Sequence, residues 1–175
     1  INSLVKNIDF DLLVIPELSN SGYFFKEKSE LEKTAEFIPN GKFSQAIAAI
    51  SKEKNAYIVC GIAEKSGNEF YNSAVLTSPD GNIVTYRKIH LFNEEKLWFE
   101  PGDGKFTVHD IKVNGVIVKI GMMICYDWIY PESARSLSMQ GAQIICHPSN
   151  LIMPYCQNAM FARAVENRVF TITAN

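Results

Sequence analysis

Residues 118–150 decide the fold, and their sequence is VKIGMMICYDWIYPESARSLSMQGAQIICHPSN. One apolar run ends at Cys125, Pro131 follows where a helix would begin, and a second apolar run leads to His147. Proline is favoured in the first turn of a helix because its missing N–H would have no partner there. We therefore predict a strand over 116–125, a helix over 130–140 and a strand over 142–149. Cys125 is then either a buried structural thiol or a nucleophile at a strand end.

The rest of the chain alternates strands and helices around one hairpin. FDLLVIPE, residues 10–17, is a short continuous apolar run, which indicates a buried strand. YNSAVLTSPDGNIVTYRK, residues 71–88, alternates in two arms about the turn at 79–82, which predicts an antiparallel hairpin. Further predicted elements are a helix over 43–55, a strand over 56–62, a loop containing Pro101 and Gly102, a helix over 156–168 and a strand over 169–175. This order predicts an α/β fold with a mixed sheet or two sheets, and with helices on the outer faces.

The composition favours a single globular domain with a small-molecule or protein partner. The chain has 175 residues, of which 47% are hydrophobic and 21% charged, and its net charge of -2 offers no polycationic surface for nucleic acid or anionic lipid. No apolar run reaches the roughly 20 residues that cross a bilayer, and no signal peptide is recognisable, so we predict a cytoplasmic location. The first and last segments look unfinished, so we expect residues 1–175 to be one domain that is incomplete at both ends.

The cysteine pattern predicts reduced thiols and no metal site. Cys60, Cys125, Cys146 and Cys156 lie within or beside apolar segments rather than at the spacings of a disulfide framework. His147 is adjacent to one of them, but the sequence has neither a CxxC nor an HxxxH pair.

Three chemically useful residues stand at predicted strand ends: Glu17, Lys88 and Cys125. Each alone is most often ordinary, as a solvated charge or a packed thiol. In α/β folds, however, residues at the carboxyl ends of strands gather at one edge, so these three could converge.

Acyl transfer to a cysteine sulfur requires a thiol, a base such as a carboxylate and a positive group such as an ammonium. A thiol must lose its proton to a base before it attacks a carbonyl or nitrile carbon, and a desolvated glutamate can serve as base and acid. The attack creates negative charge on oxygen, which Lys88 and the backbone N–H of Tyr126 could stabilise. We therefore predict Cys125 as nucleophile and Glu17 as the proton carrier.

These residues resemble the nitrilase superfamily of carbon–nitrogen hydrolases. Its Glu-Lys-Cys triad corresponds here to LLVIPELSNSGY around Glu17, YRKIHLF around Lys88 and GMMICYDWIYPESAR around Cys125. Further similar blocks are YNSAV, EEKLWFEPG, HPSNL and ARAVENRVFTITAN, so the resemblance covers nearly the whole chain.

The resemblance implies a four-layer α-β-β-α sandwich that hydrolyses a non-peptide C–N bond through a thioester, without metal or organic cofactor. It implies that Glu17 is general base and acid, and that Lys88 stabilises the oxyanion. It also implies that Glu95 orients substrate and Lys88, unless Glu95 is a solvated loop carboxylate. A homodimer or higher homo-oligomer is the assembly it implies.

Other residues near the strand ends are candidates for the pocket wall. Tyr23, Trp128, His147 and Asn150 could contact substrate, although His147 is as readily explained as a packed strand-end residue. His90 is predicted to be structural, because the triad already contains its base.

The leading hypothesis is an amidase-like hydrolase of a small linear amide or N-carbamoyl compound. The segment 126–132 contains no Arg or Lys to hold an α-carboxylate, which disfavours carbamoyl amino acids. The alternatives are a non-catalytic interaction or regulatory domain that keeps the fold, and nitrile hydrolysis or acyl transfer by the same triad.

Overall fold

Eight strands in two sheets form the centre of the part of the chain that the structure describes. The computed structural model describes residues 1–175, apart from the side chains at positions 2 and 4. The strands are β1 (Leu12–Ile15), β2 (Tyr57–Ser66), β3 (Glu69–Thr77), β4 (Ile83–Arg87), β5 (Val108–Val113), β6 (Val116–Met122), β7 (Ile144–Pro148) and β8 (Phe170–Ala174). The helices are α1 (Asn2–Val5), α2 (Lys28–Thr34), α3 (Lys42–Lys54), α4 (Glu95–Trp98), α5 (Pro131–Met139) and α6 (Cys156–Asn167), with a 3₁₀ helix over Cys125–Ile129.

The two sheets are both mixed, as the pattern of strands and helices predicted. One sheet has the order β1-β2-β3-β4 and the other β5-β6-β7-β8. β1 is parallel to β2, and β3 forms the predicted antiparallel hairpin with β4, closed by the N–H of Ser78 donating to the carbonyl of Asn82. β6, β7 and β8 are parallel neighbours joined through α5 and α6.

Side chains on the two faces of each sheet form three hydrophobic cores, one between the sheets and one between each sheet and its helices. Between the sheets, Val59 and Ala74 pack in the same buried cluster as Ile120. The opposite face of the first sheet contacts α3 in a separate cluster, whose buried members include Ile47, Ile50, Ile58, Cys60, Ile62 and Val75. The second sheet contacts α5 and α6 in a cluster that contains Ala134, Leu137, Ile145, Cys156 and Met160. These layers confirm the α-β-β-α sandwich.

β1 and β5 differ from what the sequence predicted. β1 is mostly half-buried rather than fully buried, because it lies at the edge of its sheet. β5, for which no strand was predicted, pairs antiparallel with β6 at the edge of the second sheet. Its sequence VHDIKV mixes charged and apolar residues, and an edge strand tolerates that mixture because part of it faces solvent.

None of the helices in the described residues combines the length and the hydropathy of a bilayer-spanning segment.

Candidate active site

A buried lysine lies between two carboxylates where β1 and β4 end. Lys88 directly follows β4, Glu17 follows β1 by two residues, and Glu95 begins α4. The Nζ of Lys88 lies 2.7 Å from Oε1 of Glu17 and 2.8 Å from Oε1 of Glu95. All three residues are buried, and Lys88 is 0% exposed. The structure thus brings Lys88 into contact with Glu17, which lies 71 positions earlier in the sequence, and with Glu95, which lies 7 positions later.

The charge on Lys88 is maintained by its carboxylate partners. Burial alone would lower the pKa of Lys88, whereas the charges of Glu17 and Glu95 raise it above its usual value. Burial raises the pKa of Glu17, and Glu95 adds to this shift against the opposing effect of Lys88. The ammonium therefore stays protonated, while Glu17 binds a proton more readily than an exposed glutamate.

Cys125 is held at a sharp turn rather than at the last position of a strand. β6 ends at Met122, and Cys125 begins the 3₁₀ helix with a φ of 37°, in the left-handed region that few residues with a side chain adopt. Its thiol donates to the backbone carbonyl of Asn150 at 3.5 Å. This turn replaces the predicted final residues of the strand and places the N–H of Tyr126 in the first turn of a short helix.

The Cys125 thiol would need a base to act as a nucleophile, because its pKa is raised. Burial raises the pKa of Cys125 above its usual value, and Glu17 raises it further against the opposing effect of Lys88. Oε1 of Glu17 accepts from Lys88, whereas Oε2 is buried without a hydrogen-bond partner among the described residues. One carboxylate oxygen is thus fixed, and the other is available to accept a proton.

Glu95 differs from Glu17 because protein groups engage both of its oxygens. Oε1 accepts from Lys88 and from the hydroxyl of Tyr23, the latter at 2.7 Å, and Oε2 accepts from the backbone N–H of Phe92 at 2.8 Å. Such a carboxylate is suited to orienting Lys88 rather than to moving protons.

Asn72 joins the two carboxylates from the neighbouring strand β3. Its Nδ2 donates to Oε1 of Glu17 at 2.7 Å and lies 3.3 Å from Oε1 of Glu95. Sequence reasoning did not assign Asn72 to the site. The signal that could have found it is the block YNSAV, which contains this residue.

Close backbone packing fixes Glu17 and Lys88. A Cβ on Gly61 would lie 2.4 Å from Cα of Glu17, and a Cβ on Gly102 would lie 2.3 Å from the carbonyl oxygen of Arg87, beside Lys88. The N–H of Gly102 also donates to the carbonyl of Lys88 at 2.8 Å. Only glycine allows these approaches without moving the backbone of Glu17 and Arg87.

A buried aspartate connects the segment around Lys88 with the turn around Cys125. Oδ2 of Asp127 accepts from the hydroxyl of Tyr86 at 2.7 Å and from the N–H of Ile124 at 2.9 Å. Oδ1 contacts His90 twice, at 3.2 Å from its backbone N–H and at 2.7 Å from Nδ1. Asp127, which the sequence did not single out, thus contacts residues on both sides of Lys88 and the residue before Cys125.

His147 lies behind Cys125. It is 0% exposed, its Nε2 lies 2.9 Å from the backbone carbonyl of Cys125, and its Nδ1 lies 3.1 Å from the hydroxyl of Thr173. Burial lowers the pKa of His147 to about 4, so the ring is neutral near pH 7. Of the two interpretations that the sequence left open, this geometry supports the packed strand-end residue.

The other candidates for the pocket wall line two adjoining clefts. The first, the nucleophile cleft, has a volume of ≈ 250 Å³ and is lined by Phe92, Cys125, Tyr126, Trp128, Asn150, Leu151, Ile152 and Met153. The second, the outer cleft, has a volume of ≈ 460 Å³ and shares Phe92 and Ile152 with the first. Its other lining residues are Tyr23, Phe24, Phe25, Asn93, Glu94, Glu95, Trp98 and Phe99. A substrate that reaches Cys125 would therefore meet mostly aromatic and aliphatic side chains.

The remaining cysteines are free and buried in the cores. Cys60 packs beneath α3, Cys146 packs between the sheets, and Cys156 packs among α5 and α6. Burial raises the pKa of Cys60 and of Cys146 to about 12. Cys125 is distinguished from them by its contact with a cleft.

Comparisons with known proteins agree on one family. The family model described as "Carbon-nitrogen hydrolase" matches residues 1–175. A protein named "Nitrilase" from Pyrococcus abyssi is 48% identical over 164 residues, which cover 94% of this chain and 61% of that protein. An "(R)-stereoselective amidase" from Pseudomonas sp. is 36% identical over 170 residues, which cover 95% of this chain and 59% of that protein.

Solved structures share the fold. An amidase from Nesterenkonia sp. superimposes with a TM-score of 0.77 at 24% identity, covering 99% of this chain and 65% of that one. A nitrilase-superfamily member from Saccharomyces cerevisiae gives a TM-score of 0.81 at 24% identity, with coverages of 99% and 65%. The chain thus spans less than two thirds of the length of these proteins and of the two relatives above.

Proposed function

The chain belongs to the carbon–nitrogen hydrolase family, and from this premise we propose that it hydrolyses a non-peptide C–N bond of a small linear amide or N-carbamoyl compound through a thioester on Cys125. The observation that carries the proposal is the different environment of the two oxygens of Glu17 in the buried cluster with Lys88 and Glu95. Lys88 is neutralised by two carboxylates, yet Glu17 keeps one unpartnered oxygen.

Acylation begins with proton transfer from the Cys125 thiol to Glu17. The sulfur attacks the carbonyl carbon, and negative charge develops on the oxygen, where the ammonium of Lys88 and the N–H of Tyr126 stabilise it. The protonated Glu17 then donates its proton to the leaving nitrogen. The C–N bond breaks, ammonia or an amine departs, and the acyl group remains on sulfur.

Deacylation reuses the same groups with water as nucleophile. Glu17 accepts a proton from water, the oxygen attacks the thioester carbon, and the C–S bond breaks. Glu17 returns the proton to the departing sulfur, which restores the thiol and releases the acid. The raised pKa of Glu17 suits this role, because Glu17 must both accept and donate a proton in each half-reaction.

The direct test replaces Cys125 with alanine and measures ammonia release from a panel of amides and carbamoyl compounds with the full-length protein. Cys156→Ala is a matched control, because Cys156 is buried among α5 and α6 instead of lining a cleft. We expect the first variant to lose turnover while staying folded, and the second to keep it. Turnover in the Cys125→Ala variant equal to that of the wild type would contradict the proposal.

Nitriles belong in the same panel, because a relative named as a nitrilase is 48% identical to this chain. Attack of the same thiol on a nitrile carbon gives a thioimidate; one water then releases ammonia and leaves the thioester, and a second water releases the acid. Acyl transfer to an amine would be recognised by product analysis. A non-catalytic domain would hydrolyse none of these compounds.

Assembly and location remain predictions. We propose a cytoplasmic homo-oligomer, for which exposed apolar side chains such as Phe161 on α6 and Phe170 on β8 offer surface that a second copy would cover. Light scattering of the full-length protein would give the number of copies.

A further inference from the structure

The nucleophile cleft is apolar around the position of the acyl group. Apart from Asn150 and Cys125, its walls are the aromatic or aliphatic side chains of the lining residues, including Phe92, Trp128 and Leu151. The space next to Cys125 therefore suits an apolar acyl group rather than a charged one.

The charged groups around both clefts are unfavourable for an anion. Glu94 and Glu95 line the outer cleft, and the lining residues of the two clefts, as far as the chain is described, include no lysine or arginine. Lys88 is fully buried and already lies within 2.8 Å of two carboxylate oxygens. Its proposed role is to stabilise the oxyanion at the scissile carbonyl, so it is not available to a carboxylate at the other end of a substrate.

We propose that the site selects substrates whose acyl group is uncharged and apolar, and that it discriminates against those that carry a terminal carboxylate. This inference rests on the proposed function and narrows its substrate class. A buried carboxylate without a partner loses its hydration and gains nothing in return, so it binds poorly. The adjacent glutamates add repulsion to that loss.

Two matched substrates test the selectivity with the full-length protein. Pentanamide and glutaramate have the same five-carbon chain and the same scissile amide, but the second ends in a carboxylate. We expect kcat/KM for glutaramate to be lower by about 100-fold or more, because its charge would be desolvated without a partner. Pentanenitrile and 4-cyanobutanoate form the corresponding pair if the site prefers nitriles.

A pair of variants at Ile152 tests the electrostatic cause. Ile152 lines both clefts and is exposed, so a longer polar side chain can be accommodated there. Ile152→Lys adds a positive charge, and Ile152→Gln is an uncharged control of similar size. We expect the lysine variant to narrow the gap between the two substrates by about tenfold relative to the glutamine variant. An equal gap in both variants would contradict the electrostatic explanation.

The outcomes separate this inference from the proposed function. If wild-type protein hydrolyses glutaramate as well as pentanamide or better, and Cys125→Ala is inactive, the selectivity is wrong and the mechanism stands. If wild-type protein and Cys125→Ala are equally inactive on both pairs and on the whole amide, carbamoyl and nitrile panel, the proposed function itself is overturned, and the inference with it.

Discussion

Replacing Asp127 with asparagine should slow catalysis, although this residue contacts neither cleft. Its carboxylate accepts from Tyr86 and Ile124 on one oxygen and from His90 on the other. An amide nitrogen can replace only one of these oxygens. If the amide nitrogen takes the place of Oδ2, it faces the backbone N–H of Ile124; if it takes the place of Oδ1, it faces the backbone N–H of His90. Two donors cannot form a hydrogen bond with each other.

The magnitude follows from that single lost acceptor. Leaving one buried donor unsatisfied costs about 1–3 kcal/mol, so we expect the free energy of unfolding to fall by about that amount. Relaxation would move His90 or Ile124, which lie two residues after Lys88 and one residue before Cys125. Misplacing catalytic groups by about 1 Å can reduce the rate about 100-fold. We therefore expect kcat to fall by about 10- to 100-fold, with KM nearly unchanged.

Glu64→Gln is the matched control. Glu64 is also a buried carboxylate, and it accepts from Ser73 at 2.6 Å and from Nε of Arg87 at 3.0 Å. Arg87 precedes Lys88, but none of these contacts reaches the turn around Cys125. This variant should lose stability in the same way as Asp127→Asn and keep its kcat.

The assay combines steady-state ammonia release with urea unfolding of the wild type and both variants. Measurements of kcat are made where every variant is folded. A wild-type kcat in Asp127→Asn would refute the role of Asp127 in positioning the catalytic groups. Equal losses of kcat in both variants would show that general destabilisation is the cause.

Three further substitutions test separate parts of the site. His147 has its pKa lowered to about 4 by burial, so the unfolded chain binds a proton between about pH 6.5 and 4 that the folded chain does not. Folding stability should therefore fall by about 3 kcal/mol as the pH drops through that window, and urea unfolding of His147→Gln should lack this component. Gly61→Ala should reduce kcat by about 100-fold, measured by ammonia release, because its Cβ would push against the backbone of Glu17. Glu95→Gln should lower kcat by about 10- to 100-fold, because one of its amide hydrogens would face a donor at Lys88 or Phe92; an unchanged kcat would contradict its orienting role.

The strands and the main helices were predictable because their signals are local. Apolar runs, the turn at 79–82 and Pro131 at the first turn of α5 each specify their element without distant contacts. β5 escaped prediction because charged residues interrupt its apolar pattern at the sheet edge. The end of β6 at Met122, three residues before Cys125, was not predicted. It depends on the hydrogen bond from the N–H of Ile124 to the Asp127 carboxylate, and the apolar run 116–125 gives no sign of that bond.

The candidate site was predictable only in part. Glu17, Lys88 and Cys125 stood at strand ends, where chemistry is expected, and the resemblance joined them with Glu95. Asn72 and Asp127 are buried polar residues whose importance lies in partners distant along the chain. Residue type alone gives no sign of such partners, so only the folded arrangement shows them.

The most direct measurement of the central claim is the mass of the enzyme during turnover. Full-length protein is mixed with a hydrolysed amide, quenched in acid within the first turnover, and analysed as an intact protein and as peptides. The proposed mechanism predicts an added acyl group on the peptide that contains Cys125, labile to hydroxylamine and absent from Cys125→Ala. Hydrolysis at the wild-type rate by Cys125→Ala, or an acyl group attached at another residue, would contradict the thioester mechanism.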